Sequence, residues 1–212
     1  MSFYVRLLFS YSIFIPGIIA LIRFKKIYFT YYPFLICLAI GCVNEVLSTA
    51  LVLNHHSNVL DFNIYVLVES ILLTVLFKTL GIFKMSKTIF IAIITSLIIF
   101  WVAETLAYVN IIGVTAYFRV FYSFIIVLMS VTALNKIIAD NRKINAAFLL
   151  CIAFTIYFTF KILVYSFWIG GVSDSFLLKI SIIMQYIDLL TNLIYAIAVL
   201  WMPRKQEFSL PY

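Results

Sequence analysis

The chain alternates long apolar stretches with short polar breaks along its whole length. A helix needs about 20 predominantly apolar residues to cross a bilayer. The apolar stretches are that long, and the breaks between them carry turn residues such as Asn, Asp and Gly. The pattern therefore predicts an all-α bundle of seven transmembrane helices. The predicted spans cover residues 3–22, 30–53, 62–83, 88–109, 115–138, 145–168 and 175–202.

The composition favours a single membrane domain. Of the 212 residues, 66% are hydrophobic and 11% are charged, which leaves too few polar residues to cover a soluble surface. Because every polar segment is short, we expect residues 1–212 to form one transmembrane domain without a separate soluble domain. The first apolar stretch has no cleavage site after a short core, so we interpret it as a retained helix.

The basic residues predict the orientation of the bundle. Lys and Arg beside helix ends favour the cytoplasmic side, so the net charge of +7 reflects topology, and we expect no nucleic-acid partner. We predict an extracytoplasmic N-terminus, a cytoplasmic C-terminus and a multi-pass protein of the cell membrane, the inner membrane in a Gram-negative source. The opposite face carries Arg6, Asp61 and Asp174. The basic residues on the cytoplasmic face are Arg23, Lys25, Lys26, Lys78, Lys84, Lys87, Lys136, Arg142, Lys143, Arg204 and Lys205.

Charged residues inside the predicted spans are the first candidates for a site. Each costs roughly 2.5–3.5 kcal/mol at a helix centre, so such residues normally face a partner or a water-filled cavity. Most of them lie between the bundle's middle and its predicted outer end, formed by the breaks at 54–58, 110–113 and 170–174. This predicts a polar layer on the outer side and an apolar plug on the cytoplasmic side. Apart from Arg6, Lys78 and Lys136, which are counted above with the two faces, the charged residues are Glu45, Glu69, Glu104, Arg119, Lys161, Lys179 and Asp188.

The depths of these residues also predict ion pairs. Residues at equal distance from an outer break lie at one level on adjacent helices, and a ring of helices in sequential order brings further helices together. The expected pairs are Glu69 with Lys161, Glu45 with Lys179, and Glu104 with Arg119, which leaves Asp188 as the unmatched acid. Such pairs can also serve only to fix helix register, so a purely structural role stays open.

Polar residues on the seventh predicted helix extend the layer inward. Ser181, Gln185, Asp188, Asn192 and Tyr195 recur at three- and four-residue spacing, so they share one helix face. The stripe predicts the wall of a cavity. Together with the membrane-embedded charges and the motif described next, it gives the candidate pocket: Glu45, Asn63, Tyr65, Glu69, Glu104, Arg119, Lys161, Lys179, Gln185, Asp188 and Asn192.

A short motif opens the third predicted helix. It reads Asn63-x-Tyr65-x-Leu67-x-Glu69 and follows Asn44-Glu45 on the second. The pattern resembles small uncharacterised bacterial seven-helix membrane proteins, over about a quarter of the chain. The resemblance implies a shared site but no activity. The residues it joins are Glu45, Asn63, Tyr65 and Glu69.

Other chemistry finds little support in the sequence. His55 and His56 are adjacent, which is not the spacing of a helical zinc site, and the three-His pattern of seven-helix ceramidase-type hydrolases is absent. Lys179 lies near the outer end of its helix, unlike the mid-helix Schiff-base lysine of retinal proteins. We therefore predict no metal and no cofactor.

Three functional hypotheses remain. The first is a receptor-like module that binds a small polar or amphipathic ligand from the outer side, contacts membrane lipid and would signal through a partner protein. The second is an intramembrane lipid hydrolase or transferase in which Glu45 and Glu69 divide acid and base roles. The third is a proton- or cation-coupled transporter that uses Asp188 as a relay carboxylate.

Overall fold

A computed structural model of the chain describes residues 9–81, 87–108, 113–139 and 145–203. This part of the chain folds into α-helices and short tight turns, with no β-strand. Helical 3-10 turns precede α1 at Tyr11–Ile13 and α2 at Phe29–Tyr31, and a π-helical turn at Glu104–Tyr108 continues α4. The helices are α1 (Phe14–Arg23), α2 (Tyr32–Leu53), α3 (Val59–Thr79), α4 (Lys87–Ala103), α5 (Ala116–Ala139), α6 (Ala146–Ile169) and α7 (Asp174–Trp201).

Six of these helices, α2 to α7, are long and apolar enough to cross a membrane. α1 with its preceding turn covers Tyr11–Arg23 and is shorter; positions 3–8 of the predicted first span lie outside the described residues. The fold is thus a helical bundle suited to a multi-pass membrane protein, and the seventh crossing and the orientation stay predictions.

The predicted helix boundaries agree with the structure to within two residues for most spans. α3 is the exception, because it begins at Val59 and ends at Thr79, whereas the prediction was 62–83. The prediction treated Asp61 as part of the turn. An acidic side chain suits the first turn of a helix, where the backbone dipole is positive, and Asp61 occupies that position.

The helices surround a central axis in sequence order, with α4 displaced outward. α1 packs against α2 and α7, α2 against α3, α5 against α6, and α6 against α7. α3 contacts α5 directly, and α4 packs on both with only 17% of its most apolar window buried. A ring of six helices therefore encloses the axis, while α4 lies on its outer surface.

Small residues let α1 approach α2 closely. A Cβ atom on Gly17 would lie 2.6 Å from Sγ of Cys42, and one on Gly41 would lie 2.6 Å from the Ile13 side chain. Both distances are shorter than carbon and sulfur atoms tolerate. The two glycines thus allow the short first helix to close the ring between α2 and α7.

Arg23 fastens α1 to the end of α7. Its guanidinium donates to the backbone carbonyl oxygens of Val199 at 2.7 Å and Met202 at 3.4 Å, and also contacts that of Leu200. The last carbonyls of a helix have no partners within the helix and carry partial negative charge. Arg23, which the sequence predicts on the cytoplasmic face, therefore also caps the C-terminus of α7.

The outside of the bundle is apolar. Large side chains such as Leu21, Ile22, Ile99 and Leu106 are more than 60% exposed. Contiguous apolar surface of this kind belongs in contact with lipid or another protein. The interior contrasts with it, because buried Ser, Thr, Asn, Glu, Arg and Lys side chains lie among the core residues.

Candidate functional site

A cavity of about 330 Å³ lies along the axis of the bundle. Side chains from the segment before α1 and from α1's preceding turn, and from α2, α3, α5, α6 and α7, form its wall, and α4 contributes none. Pockets for small molecules typically enclose about 300–1,000 Å³, so the space suits a compact ligand. The candidate residues in the wall are Glu45, Tyr65, Glu69, Arg119, Lys161, Gln185, Asp188 and Asn192.

Glu69 and Lys161 form an ion pair in this wall. The ammonium of Lys161 lies 3.1 Å from Oε2 of Glu69, and both residues are buried. The hydroxyl of Tyr122 donates to the same oxygen at 2.7 Å, and that of Tyr65 donates to Oε1 at 3.3 Å. We call these four residues the Glu69 cluster. The ion pair expected from helix order and depth is confirmed.

Aromatic rings surround the Lys161 ammonium. Its nitrogen lies 5.0 Å from the ring centroid of Tyr157, 5.1 Å from that of Tyr122 and 5.3 Å from that of Phe158. Such distances give favourable cation–π interactions, which are stronger where water is excluded. Lys161 is therefore held by its surroundings as well as by its carboxylate partner.

Arg119 lies in a second cluster toward the predicted outer end. Its guanidinium donates to the Tyr165 hydroxyl at 3.0 Å and to Oδ1 of Asn63 at 3.3 Å, and no ion pair joins Arg119 to an acid in the described part of the chain. Asn63 Oδ1 also accepts from Thr115, and its amide donates to the carbonyl of Gly113 at 2.9 Å. We call these five residues the Arg119 cluster.

Aromatic side chains close the cavity toward the predicted cytoplasmic end. The rings of Phe34, Phe154 and Tyr195 lie in the wall and contact one another at centroid distances of 5.1–6.0 Å. Phe77 packs against Phe154 below them. Among the described residues this level carries no charged side chain facing the axis, as the predicted apolar plug requires.

Several polar atoms at the wall have no hydrogen-bond partner in the structure. They are Nε of Arg119, Oε1 of Gln185 and Oγ1 of Thr191. Arg119 and Thr191 are buried to 5% and 2% exposure, and buried polar groups are normally paired. Asp188 likewise makes no hydrogen bond or ion pair among the described residues. The cavity therefore offers free donors and acceptors.

α7 supplies much of the wall. Gln185, Asp188, Asn192 and Tyr195 from the predicted polar stripe line the cavity. Ser181 instead hydrogen-bonds the carbonyl of Leu178 in its own helix. Asn192 also donates to the hydroxyl of Ser12 at 2.8 Å, which fixes the turn before α1 against α7.

Three candidate residues lie outside the wall. Asn63 is fully buried behind it, where it holds Arg119. Glu104 accepts from the backbone N–H groups of Tyr117 at 3.0 Å and Phe118 at 2.5 Å, so it caps the N-terminus of α5. Lys179 is exposed.

Two of the expected ion pairs are not found among the described residues. Glu104 binds backbone N–H groups and Arg119 binds neutral partners, so no direct ion pair joins these two described residues, although their charges interact electrostatically at longer range. The expected pair of Glu45 with Lys179 is also wrong, because Lys179 is exposed near the outer end of α7, whereas Glu45 lines the cavity. Equal depth predicted an ion pair correctly only for Glu69 and Lys161, whose side chains line the same cavity.

Sequence reasoning missed Tyr157 and Tyr165 of the wall, and Tyr122 and Ser12, which hydrogen-bond wall residues from behind it. Tyr157 and Tyr165 flank Lys161 at four-residue spacing on α6, so all three share one face, and the same count that identified the α7 stripe could have identified them. Tyr122 follows Arg119 by three residues in the same way. Ser12 gave no signal, since nothing in its local pattern differs from a lipid-facing serine.

Comparisons with protein-family models, curated proteins and solved structures find no significant match to this chain. The resemblance to small bacterial seven-helix proteins therefore stays a prediction. The fold is a helical bundle of the membrane type. Charged side chains line a cavity on its axis. The motif Asn63-x-Tyr65-x-Leu67-x-Glu69 contributes to both clusters, with Asn63 in one and Glu69 in the other.

Proposed function

We propose that this protein is a receptor-like membrane module that binds a small polar ligand in the axial cavity. The observation that carries the proposal is a cavity of about 330 Å³ lined by Glu45, Arg119, Lys161 and Asp188 inside an otherwise apolar bundle. Charged groups in a membrane interior are costly and usually mark a ligand or ion site. A bundle that needed only stability could form without them.

The shape of the cavity supports access from the predicted outer end. Its floor is a cluster of aromatic rings, and its charged residues lie above that floor. We infer that a bound state would be transmitted by helix movement to a partner protein at the cytoplasmic face. We also propose that the bundle lies in the cell membrane.

The experiment is a thermal-unfolding screen of the purified full chain in detergent. A ligand that binds only the folded state raises its stability in proportion to the logarithm of ligand concentration. We expect at least one class of osmolytes, amino acids, lipids or metabolites to raise the melting temperature. The same class should have a smaller effect on Asp188→Asn and an unchanged effect on Asp61→Asn, a matched acid outside the cavity wall. A panel without any stabilising compound would contradict the proposal.

Transport is a second candidate, which the unpaired Asp188 favours. A carboxylate without a protein partner can exchange a proton or cation with a substrate. Transport would also require the aromatic floor formed by Phe34, Phe154 and Tyr195 to open. Uptake into proteoliposomes that responds to a pH gradient, and is lost in Asp188→Asn, would favour this candidate over a receptor.

The enzyme hypothesis has less geometric support. It requires Glu45 and Glu69 to divide acid and base roles, but both oxygens of Glu69 accept hydrogen bonds from Tyr65, Tyr122 and Lys161. A general base needs a free oxygen within reach of its proton. Incubation with defined lipids and mass spectrometry of the products would test this hypothesis directly.

A further inference from the structure

The charges on the cavity wall do not balance. Glu45, Glu69 and Asp188 contribute acids, whereas Arg119 and Lys161 contribute bases. Glu69 and Lys161 neutralise each other at 3.1 Å. Within the described residues this leaves two acids and one guanidinium without a close ion pair around one space, although Arg119 interacts at longer range with Glu104 and Asp188 with Lys161.

The unmatched charges lie at different levels. Arg119 binds Tyr165, which is one turn, or about 6 Å, farther out on α6 than Lys161. Asp188 lies deeper than Tyr165 by either of two ring contacts that align α6 with α7. The contact of Phe154 with Tyr195 places Asp188 level with Lys161, one turn deeper than Tyr165. The contact of Phe167 with Phe176 places Asp188 about 9 Å deeper than Lys161.

Arg119 is held so that one edge stays free. Its terminal nitrogens bind Tyr165 and Asn63, while its buried Nε has no partner. Neutral partners orient the guanidinium without cancelling its charge, and a guanidinium with a free N–H favours carboxylate or phosphate oxygens. Thr191 and Gln185, with unpaired oxygens on the α7 wall, add acceptors on the side of Asp188.

On the basis of the proposed function, we infer that the ligand is a zwitterion, with an anionic group bound by Arg119 and a primary ammonium bound by Asp188. A simple anion would leave both acids without a partner, and a simple cation would leave Arg119 without one. A neutral ligand would leave all three uncompensated, which is costly away from bulk water. A zwitterion places a negative group opposite Arg119 and a positive group opposite Asp188. Glu45 adds a second acid near the level of Tyr165, because Phe34 contacts Phe154 and these two residues, Glu45 and Tyr165, each lie eleven positions farther out.

Two sources share this chemistry: free amino acids and the headgroup of an ethanolamine phospholipid. A cavity of about 330 Å³ fits a free amino acid or a headgroup but not two acyl chains. Separate probes in the experiment therefore distinguish the two sources, which share the inferred charge pattern.

The test is a thermal-unfolding series with chemically matched compounds on the full chain in detergent. The probes are ω-amino acids of three to six carbons. Each is compared with three analogues of equal length that carry only the amine, only the carboxylate or only a primary amide. We expect at least one amino acid, at about 100 times its Kd, to raise the melting temperature by about 5 °C, and its three analogues to have much smaller effects. Glycerophosphoethanolamine and a lyso-ethanolamine phospholipid distinguish a free ligand from a lipid.

Variants assign the two charges. Asp188→Asn should weaken binding of the amino acid about tenfold or more while leaving the weak effect of the matched carboxylate unchanged. Arg119→Lys should keep part of the affinity, and Asp61→Asn should keep all of it. If amine, carboxylate or amide analogues stabilise as well as the zwitterion, the inference is wrong although ligand binding stands. The inference is also wrong, and ligand binding stands, if other compounds of the broad panel stabilise the protein and no zwitterion does. If nothing stabilises, the proposed function itself is contradicted.

Discussion

Lys161 on α6 and Glu69 on α3 are joined across the bundle by an ion pair of 3.1 Å, although 92 positions separate them in the sequence. Both side chains are almost fully buried. The pair therefore links two opposite walls of the cavity and fixes the rotation of both helices.

Breaking this pair from one side should destabilise the fold strongly. Glu69→Gln or Lys161→Met leaves one buried charge without compensation, which costs about 3–5 kcal/mol, whereas removing both charges can be nearly neutral. We expect the double variant to be much more stable than the sum of the single losses. Unfolding free energies in mixed micelles give this double-mutant cycle, and additive losses would contradict the coupling.

Asn63 should be the most sensitive amide among the described residues. Its side chain accepts from Thr115 and Arg119 and donates to Gly113, so Asn63→Ala leaves several buried groups unpaired. We expect a loss of about 1–3 kcal/mol. Asn54→Ala removes an exposed amide that contacts only its own helix and should change the unfolding free energy by less than about 0.5 kcal/mol. Equal effects of the two changes would refute this role of Asn63.

Glu104 should act through the N-terminus of α5. Its carboxylate binds two free backbone N–H groups, where a negative charge also interacts with the helix dipole. Glu104→Ala should cost about 1–2 kcal/mol, in the range of lost N-caps, and Glu104→Gln about half as much, because one acceptor remains. Should Arg119→Met and Glu104→Ala instead show strong coupling in a double-mutant cycle, the two residues would interact more directly than the structure indicates.

The sequence predicted the helices well because an apolar stretch of spanning length has few alternative structures. It also predicted the Glu69 to Lys161 pair, since depth and helix order were enough to bring them together. It could not predict that Glu104 turns toward backbone N–H groups. That outcome depends on the π-helical turn Glu104–Tyr108 and on the start of α5, neither of which has a side-chain signature.

The position of α1 was also beyond sequence reasoning. Close approach through Gly17 and Gly41 places the turn before α1 in contact with both α2 and α7. Helix order around a ring can be inferred from short connections, but interhelical distance depends on which small residues face each other. The four-residue spacing of Tyr157, Lys161 and Tyr165, by contrast, was readable from the sequence.

Asp188→Asn should leave the fold intact. Asp188 makes no hydrogen bond or ion pair among the described residues, and Asn has nearly the same shape, so no structural contact is lost. We expect the unfolding free energy of the ligand-free protein to change by less than about 1 kcal/mol. A collapse of the folded yield would show that Asp188 is structural and would remove it from the proposed site.

The orientation and the number of crossings can be tested together at the two ends of the chain. Tyr11–Arg23 covers 13 residues, or about 20 Å of helix, whereas a bilayer core is about 30 Å thick; the predicted span 3–22 would reach across. Seven crossings place the termini on opposite sides, and six place them on the same side. A reporter enzyme active only in the cytoplasm should therefore work after Tyr212 and fail before Met1, at Ser57 and at Gly171. Activity at both termini would reduce the crossings to six, and activity before Met1, at Ser57 and at Gly171 but not after Tyr212 would reverse the orientation that the basic residues predict.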